Sequence, residues 1–179
     1  VYKRQTYKFL SEELFLMEKK DPANRMSRIL IFVYLFFHNY IYIYTNGRIG
    51  KNLNGRPCLI LETTGAKTKL VRKNVLVFLR EGNEICLVAS RGGSERNPGW
   101  YYNLKKNRNS VIFIGTERFE VTSREIFEEE RHEWWLKMDY LNNGGYGRYQ
   151  QRTNRKIPVI ILSITCLLYT SPSPRDTRS

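Results

Sequence analysis

The chain has 179 residues, enough to bury one proper core. Thirty Lys and Arg face seventeen Asp and Glu, giving a net charge of +13, a field that attracts polyanions: nucleic acid, acidic lipid or a phosphate-bearing cofactor. Three cysteines without CxxC spacing argue against a disulfide framework and a zinc ribbon, and two distant histidines argue against a His-based metal centre. That cysteine usage fits a reducing, cytoplasmic setting.

Both ends read as foreign to the fold. Val1–Gln5 back-translates to the end of the transposase recognition element used in sequencing libraries, and Cys166–Asp176 to the same element inverted, followed by adapter. Residues 1–5 and 166–179 are therefore expected to be translated adapter, the latter disordered, and are left out of the fold prediction. Without them four cations and one acid are lost, and the net charge is +10.

Between these ends, a helical region is predicted over 6–50 and a folded domain over 51–165. Thr6 to Asn24 is polar and helix-compatible. Ile29 to Tyr44 is apolar and aromatic but interrupted by His38 and Asn39, so it falls short of a spanning helix. Preceded by Lys19, Lys20, Arg25 and Arg28, it suits either a buried helix or one lying on an acidic membrane surface. From Pro57 the texture turns to strands: Cys58–Glu62, Val71–Leu79 and Glu84–Ser90, with a hairpin turn at Arg80–Asn83. Asn97 and Pro98 predict a helix start, Asn as N-cap and Pro at the first helical position, running to about Lys106. Val111–Ile114 and Arg118–Thr122 form another strand pair. Thr122 and Glu125 have capping-box spacing, and Phe127, Trp134, Met138 and Leu141 recur at helical spacing, the pattern of core packing. Asn142–Gly145 breaks that helix, Tyr146 to about Asn154 follows, and Ile157–Ile164 is the last strand.

Three segments carry chemistry. Thr63-Thr64-Gly65-Ala66-Lys67-Thr68 followed by Arg72 combines hydroxyls, a glycine and cations in a turn between strands. A phosphate needs this set, although a solvated hairpin turn has the same composition, and the glycine pattern of a P-loop is missing. Ala89 to Trp100 ends a strand in Ser90 and Arg91, turns through Gly92-Gly93 and delivers the chain to a helix N-terminus, a natural anion seat. Tyr146 to Gln151, with Tyr140 upstream, offers aromatic faces and phenol donors to a flat conjugated ligand, or else fills core.

In order, Gly47-Arg48-Ile49-Gly50, Thr63–Thr68, Arg72, Ala89–Gly93, Asn97–Leu104, Tyr146–Gln150 and Ile157-Pro158 resemble the deazaflavin-dependent nitroreductases, over roughly Asn39 to Ile164. The resemblance implies an α+β split β-barrel, related to the flavin-mononucleotide-binding barrels, with flanking helices and an N-terminal helix. It also implies coenzyme F420, an 8-hydroxy-5-deazaflavin bearing a phosphate and an anionic polyglutamate tail, and hydride transfer to a quinone, nitroaromatic or similar acceptor. By motif position, Lys67 and Arg72 grip phosphate and tail. Asn74, Ala89, Ser90, Arg91 and Gly92 line the phosphate and ring pocket, and Pro98, Trp100 and Asn103 pack beside the ring. Tyr146 and Tyr149 wall the substrate side with Tyr140, and Ser90, Tyr146 and Tyr149 are the implied catalytic donors. The chain departs from the family pattern at Ala66 and Lys69, where an Arg and a Gly are usual, and at Val75, Gly99 and Asn142–Gly145.

Other readings stay open at this point. A related barrel could hold flavin mononucleotide. A basic, Tyr-rich surface could bind single-stranded nucleic acid, although the cations gather at turns suited to one compact anion and nucleic acid is not the expected partner. A peripheral membrane protein without catalysis is the third. Oligomeric state is not predicted.

Overall fold

The computed structural model describes residues 25–45 and 47–168. They belong to two compact units, divided after Tyr40. The described part of the first is helical, the start of α1 (Arg25–Tyr44). Thr6–Asn24, predicted helical, and the termini 1–5 and 169–179 lie outside the described residues.

The second unit is an antiparallel sheet flanked by helices. Its strands are β1 (Asn52–Leu53), β2 (Arg56–Thr64), β3 (Val71–Val77), β4 (Leu79–Glu81), β5 (Glu84–Val88), β6 (Asn109–Ile114), β7 (Glu117–Ile126) and β8 (Val159–Leu168). Neighbours run β1-β2-β6-β7-β8-β5-β4, with β3 on the other side of β2. A curled antiparallel sheet of this order with α1, α2 (Gly99–Lys106), α3 (Glu128–Leu141) and α4 (Gly145–Gln150) is an α+β fold of the split-barrel type.

The side-chain pattern explains the sheet. In β2, Leu59 and Leu61 enter one core with Trp100, Leu104, Ile112 and Phe119, while Cys58 and Ile60 enter another with Tyr42. In β8, Ile160 and Leu162 join the first core, and Val159 and Ile161 a third, with Trp134, Met138 and Tyr146. A strand buried on both faces must be apolar at every position, which is why IPVIIL carries no polar alternation.

Four boundaries differ from the sequence prediction. The run Val71–Leu79 is not one strand: it breaks at buried Phe78, leaving β3 on β2 and carrying β4 to β5, so the chain turns a corner of the barrel there. Thr122 and Glu125 do not cap a helix but lie in β7. Burial of Phe119, Val121 and Ser123 at every second residue, and pairing with β8, outweigh the local capping signal. Thr122 donates instead to Asn109, and Glu125 receives Tyr101 and Lys105. The helix α3 starts at Glu128, where three glutamates suit the positive end of its dipole. Trp134 and Met138 of the predicted stripe are buried, but Phe127 is exposed. Finally, β8 runs past residue 165 to Leu168, because β7 still offers Arg118 and Phe119 for pairing.

Tyr42 ties the end of α1 to the sheet. Fully buried, its hydroxyl donates to the Cys58 carbonyl at 2.8 Å and accepts from the Gly115 N–H at 3.2 Å. Burial, before any other influence, pushes its phenol pKa up. Two turns meet beside it: a Cβ on Gly47 would stand 1.7 Å from the Gly115 carbonyl oxygen, at a φ of +83°. Gly47→Ala should therefore cost on the order of 3 kcal/mol in chemical denaturation. Gly115→Ala, whose Cβ meets only the flexible Lys51 side chain, should cost about 1 kcal/mol.

Candidate functional site

The β2–β3 connection is a tight turn in which the Gly65 N–H donates to the Leu70 carbonyl and the Lys69 N–H to the Gly65 carbonyl. Lys69 takes a φ of +58°, a conformation that glycine adopts most readily. Arg72 donates from Nη2 to Thr68 Oγ1 at 3.3 Å. Lys67 is exposed and makes no ion pair among the described residues. Asn74 is half-buried on β3, opposite Leu61.

Asn103 anchors this turn. From α2, its Nδ2 donates to Thr63 Oγ1 and its Oδ1 accepts from the Ala66 N–H, both at 3.0 Å. Both ends of its amide are thus engaged by the turn, so its role is to hold the turn against α2. Tyr101 and Lys105 fasten the same helix to Glu125 on β7, at 3.0 and 3.2 Å. Burial first, then the bond to and charge of Glu125, push the Tyr101 phenol up to about 12.

The second segment leaves β5 at Ala89. Ser90 is in the right-handed region (φ −73°, ψ −40°), and Arg91, Gly92 and Gly93 follow at φ +45°, +64° and +84°. A change of handedness between successive residues gathers backbone N–H groups into an anion-receiving nest. Ser90 is 8% exposed, and its hydroxyl makes no hydrogen bond among the described residues. Gly92 is exposed and Gly93 buried.

Arg155 holds this loop from inside. Its Nε donates to the Ser94 carbonyl (2.7 Å), Nη1 to Asn97 Oδ1 (2.5 Å), and Nη2 to the carbonyls of Ala89 (3.1 Å) and Ser90 (2.9 Å). Burial works against its charge and lowers its pKa. Asn97 is therefore not the predicted N-cap: its side chain is spent on Arg155, and Pro98 occupies the cap with extended backbone and no side-chain bond. Gln150 steadies Arg155 in turn, donating to its carbonyl at 2.8 Å and accepting from the Ile157 N–H at 3.0 Å. Arg155 has no local sequence signature. Only the topology, which returns residue 155 beneath residue 89, gives it four acceptors.

The tyrosines are divided. Tyr146 and Tyr149 stand edge to face on α4, centroids 6.1 Å apart. Tyr146 is a core residue, 6% exposed, packed with Trp135, and burial raises its phenol pKa. Tyr149 is half-buried under the Arg152 guanidinium, 5.5 Å from its ring centroid. The Tyr149 carbonyl abuts Gly93, so the loop and α4 are in contact. Three expected placements change. Tyr140 is 88% exposed near the end of α3, and no contact among the described residues joins its ring to the loop. Trp100 is 5% exposed inside the first core, so it supports α2 rather than offering a ring face, and Pro98 is buried at the helix cap. Trp100 and Tyr146 fill core because α2 and α4 need apolar anchors on a small domain.

A groove of about 510 Å³ adjoins the base of the first turn, lined by Thr63, Thr64, Val71, Ser110 and Thr122 among others. Another of about 630 Å³ lies along α3 and α4, past Arg131, Trp135, Gly147 and Gln151. Neither is lined by the Ser90–Gly92 loop. No group of three or more His, Cys, Asp or Glu among the described residues is placed to hold a metal ion.

A family model described as F420H(2)-dependent quinone reductase matches residues 36–163. The chain belongs to that family. It is 42% identical over 132 residues to an F420H(2)-dependent quinone reductase of Mycobacterium tuberculosis, covering 72% of this chain and 89% of that one. Among solved structures it is similar to an F420-H2 dependent reductase (TM-score 0.56, 36% identity, 60% of this chain and 95% of that one). A second, described as a domain-swapped dimer, matches with TM-score 0.57 and 33% identity over 69% of this chain and 93% of that one.

The contact between loop and α4 sets a test. A Cβ on Gly93 would lie 2.6 Å from the Tyr149 carbonyl oxygen and 2.9 Å from Arg152 Cβ, whereas one on Gly92 would meet nothing within 4 Å. Gly93→Ala should cost on the order of 3 kcal/mol of stability by urea denaturation. Gly92→Ala should cost only the left-handed strain of about 1 kcal/mol.

Proposed function

We propose that this chain binds reduced coenzyme F420 through the two segments above and transfers its hydride to a quinone, with nitroaromatics as adventitious acceptors. The observation that carries the reading is the donor set. An exposed Lys67, Arg72 on the same turn, Arg91, and the backbone nest at Ser90–Gly92 together suit a phosphate and an anionic tail. These residues fit the coenzyme named by the family.

When bound, the deazaflavin supplies a two-electron hydride donor. The protein's own residues bind, orient and donate. Lys67 and Arg72 hold phosphate and tail, with Asn74 beside them on β3, and Ala89, Ser90, Arg91 and Gly92 receive phosphate and ring. Ser90 and Tyr149 donate to the acceptor as negative charge develops on its oxygen. Tyr146, whose hydroxyl makes no hydrogen bond among the described residues, packs against Tyr149 and is the further donor. Burial holds the Tyr146 phenol in its protonated, donating form above the usual tyrosine range, so it remains a donor throughout neutral and mildly alkaline pH. A flavin mononucleotide has one phosphate and no polyanionic tail, so it leaves part of the cationic turn unused.

Lys67→Ala combined with Arg72→Ala should weaken F420 binding by about tenfold or more, the loss of two charge-assisted contacts. F420H2–menadione turnover should show this as a raised KM for F420H2 with little change in kcat. Unchanged KM in the double variant contradicts the assigned grip, and absence of turnover in the wild type contradicts the reaction.

A second reading concerns where the acceptor is met. No helix among the described residues is long and apolar enough to cross a membrane. Yet α1 exposes Leu30, Val33, Tyr34, Phe37, Ile41 and Tyr44 at helical spacing, and Lys19, Lys20, Arg25 and Arg28 precede or begin it. Such a face lies on an acidic bilayer, where a lipid-soluble quinone resides. Sedimentation with anionic vesicles, lost in Phe37→Ser with Tyr44→Ser and in neutral vesicles, is the expected result; equal pelleting of the double variant contradicts it.

A further inference from the structure

We propose that Arg155 is a positioning residue of the anion site: it orients the 89–94 backbone so that amide N–H groups, not carbonyls, face the ligand. The argument starts from the rigidity of the peptide plane. In a trans peptide the carbonyl of one residue and the N–H of the next point in opposite directions. Arg155 draws the Ala89 and Ser90 carbonyls to Nη2 and the Ser94 carbonyl to Nε. The N–H groups of Ser90, Arg91 and Glu95 are thereby turned to the side away from the guanidinium. A loop with three successive residues at positive φ, one of them an arginine, does not adopt that orientation on local preference alone. A planar fork that satisfies three carbonyls and the Asn97 side chain at once supplies the missing constraint, and a lysine ammonium cannot reproduce it.

The surroundings show why the clamp is directional. Gln150 fixes the Arg155 carbonyl and the Ile157 N–H on the α4 side, and the Ala89 N–H donates to the Pro158 carbonyl at 2.9 Å. Arg155 is thus held by segments flanking β8, and the loop is held by Arg155. Its positive charge also lies behind the nest, where it favours an anion without touching it. The inference rests on the proposed reading of the loop as the phosphate receiver.

The test compares two ligands and two variants in the full chain. The ligands are oxidised F420 and the bare deazaflavin chromophore, which lacks phosphate and tail. Arg155→Ala should lower F420 affinity about tenfold or more while changing chromophore affinity less than about twofold, with Arg155→Lys between wild type and Arg155→Ala. Amide hydrogen exchange should accelerate in Arg155→Ala at Gly93 and Ser94, whose N–H groups donate to the Ser90 and Arg91 carbonyls. Equal loss of affinity for both ligands, or unchanged F420 affinity and exchange, overturns the proposal. If Arg155→Ala fails to fold, Arg155→Lys and Asn97→Ala carry the same comparison, since the first replaces the fork and the second removes one of its acceptors. Failure of the wild type to bind F420 overturns the reading of the site itself, whereas binding by the wild type that neither variant alters overturns only the role of Arg155.

Discussion

Burial of β8 on both faces is the constraint on which the rest depends. Ile160 and Leu162 complete one core, and Val159 and Ile161 another, while the strand pairs with β5 on one side and β7 on the other. The six buried residues from Ile157 to Leu162 supply on the order of 10 kcal/mol of gross hydrophobic stabilisation. The position of β8 fixes where β5 ends, hence where Ala89 begins the loop. It also sets where the chain returns, hence where Arg155 and α4 sit. The site is a by-product of this strand's register: a slip by one residue would exchange the two cores and move Arg155 from beneath Ser90.

Polar groups then convert this frame into a site. Asn103 joins the first turn to α2, and the Tyr101–Glu125–Lys105 group joins α2 to β7. Gly93 joins the second loop to α4 by close backbone approach. These joints hold the two candidate segments against α2 and α4. That is the requirement for hydride transfer, in which donor carbon and acceptor must be held at near-attack distance.

Much of this was legible in the sequence, for identifiable reasons. Strands with period-two burial or continuous apolar runs declared themselves, as did Gly82 in its hairpin turn, because local chemistry and tertiary burial agree there. The candidate site segments stood out because glycines, hydroxyls and cations close in sequence suit an anion-receiving turn. The rest depended on distance in sequence. Phe78 turns a corner because β3 and β4 have different partners, and nothing within the run announces that. Thr122 and Glu125 mimic a cap, but the strand ladder settles their conformation. Trp100 looks like a ring-facing aromatic and is buried in the core, while Arg155, without any motif, clamps the loop from 65 residues away. Membership of the F420H(2)-dependent quinone reductase family agrees with the family resemblance read from the sequence.

The central claim is that these turns form one receptor for a deazaflavin with a phosphate and an anionic tail. Fluorescence titration of oxidised F420, with flavin mononucleotide in parallel, tests it most directly. Micromolar affinity for F420, weakened by added salt and well above that for flavin mononucleotide, is the predicted result. Equal affinity for the two ligands, or no binding of F420, would contradict it.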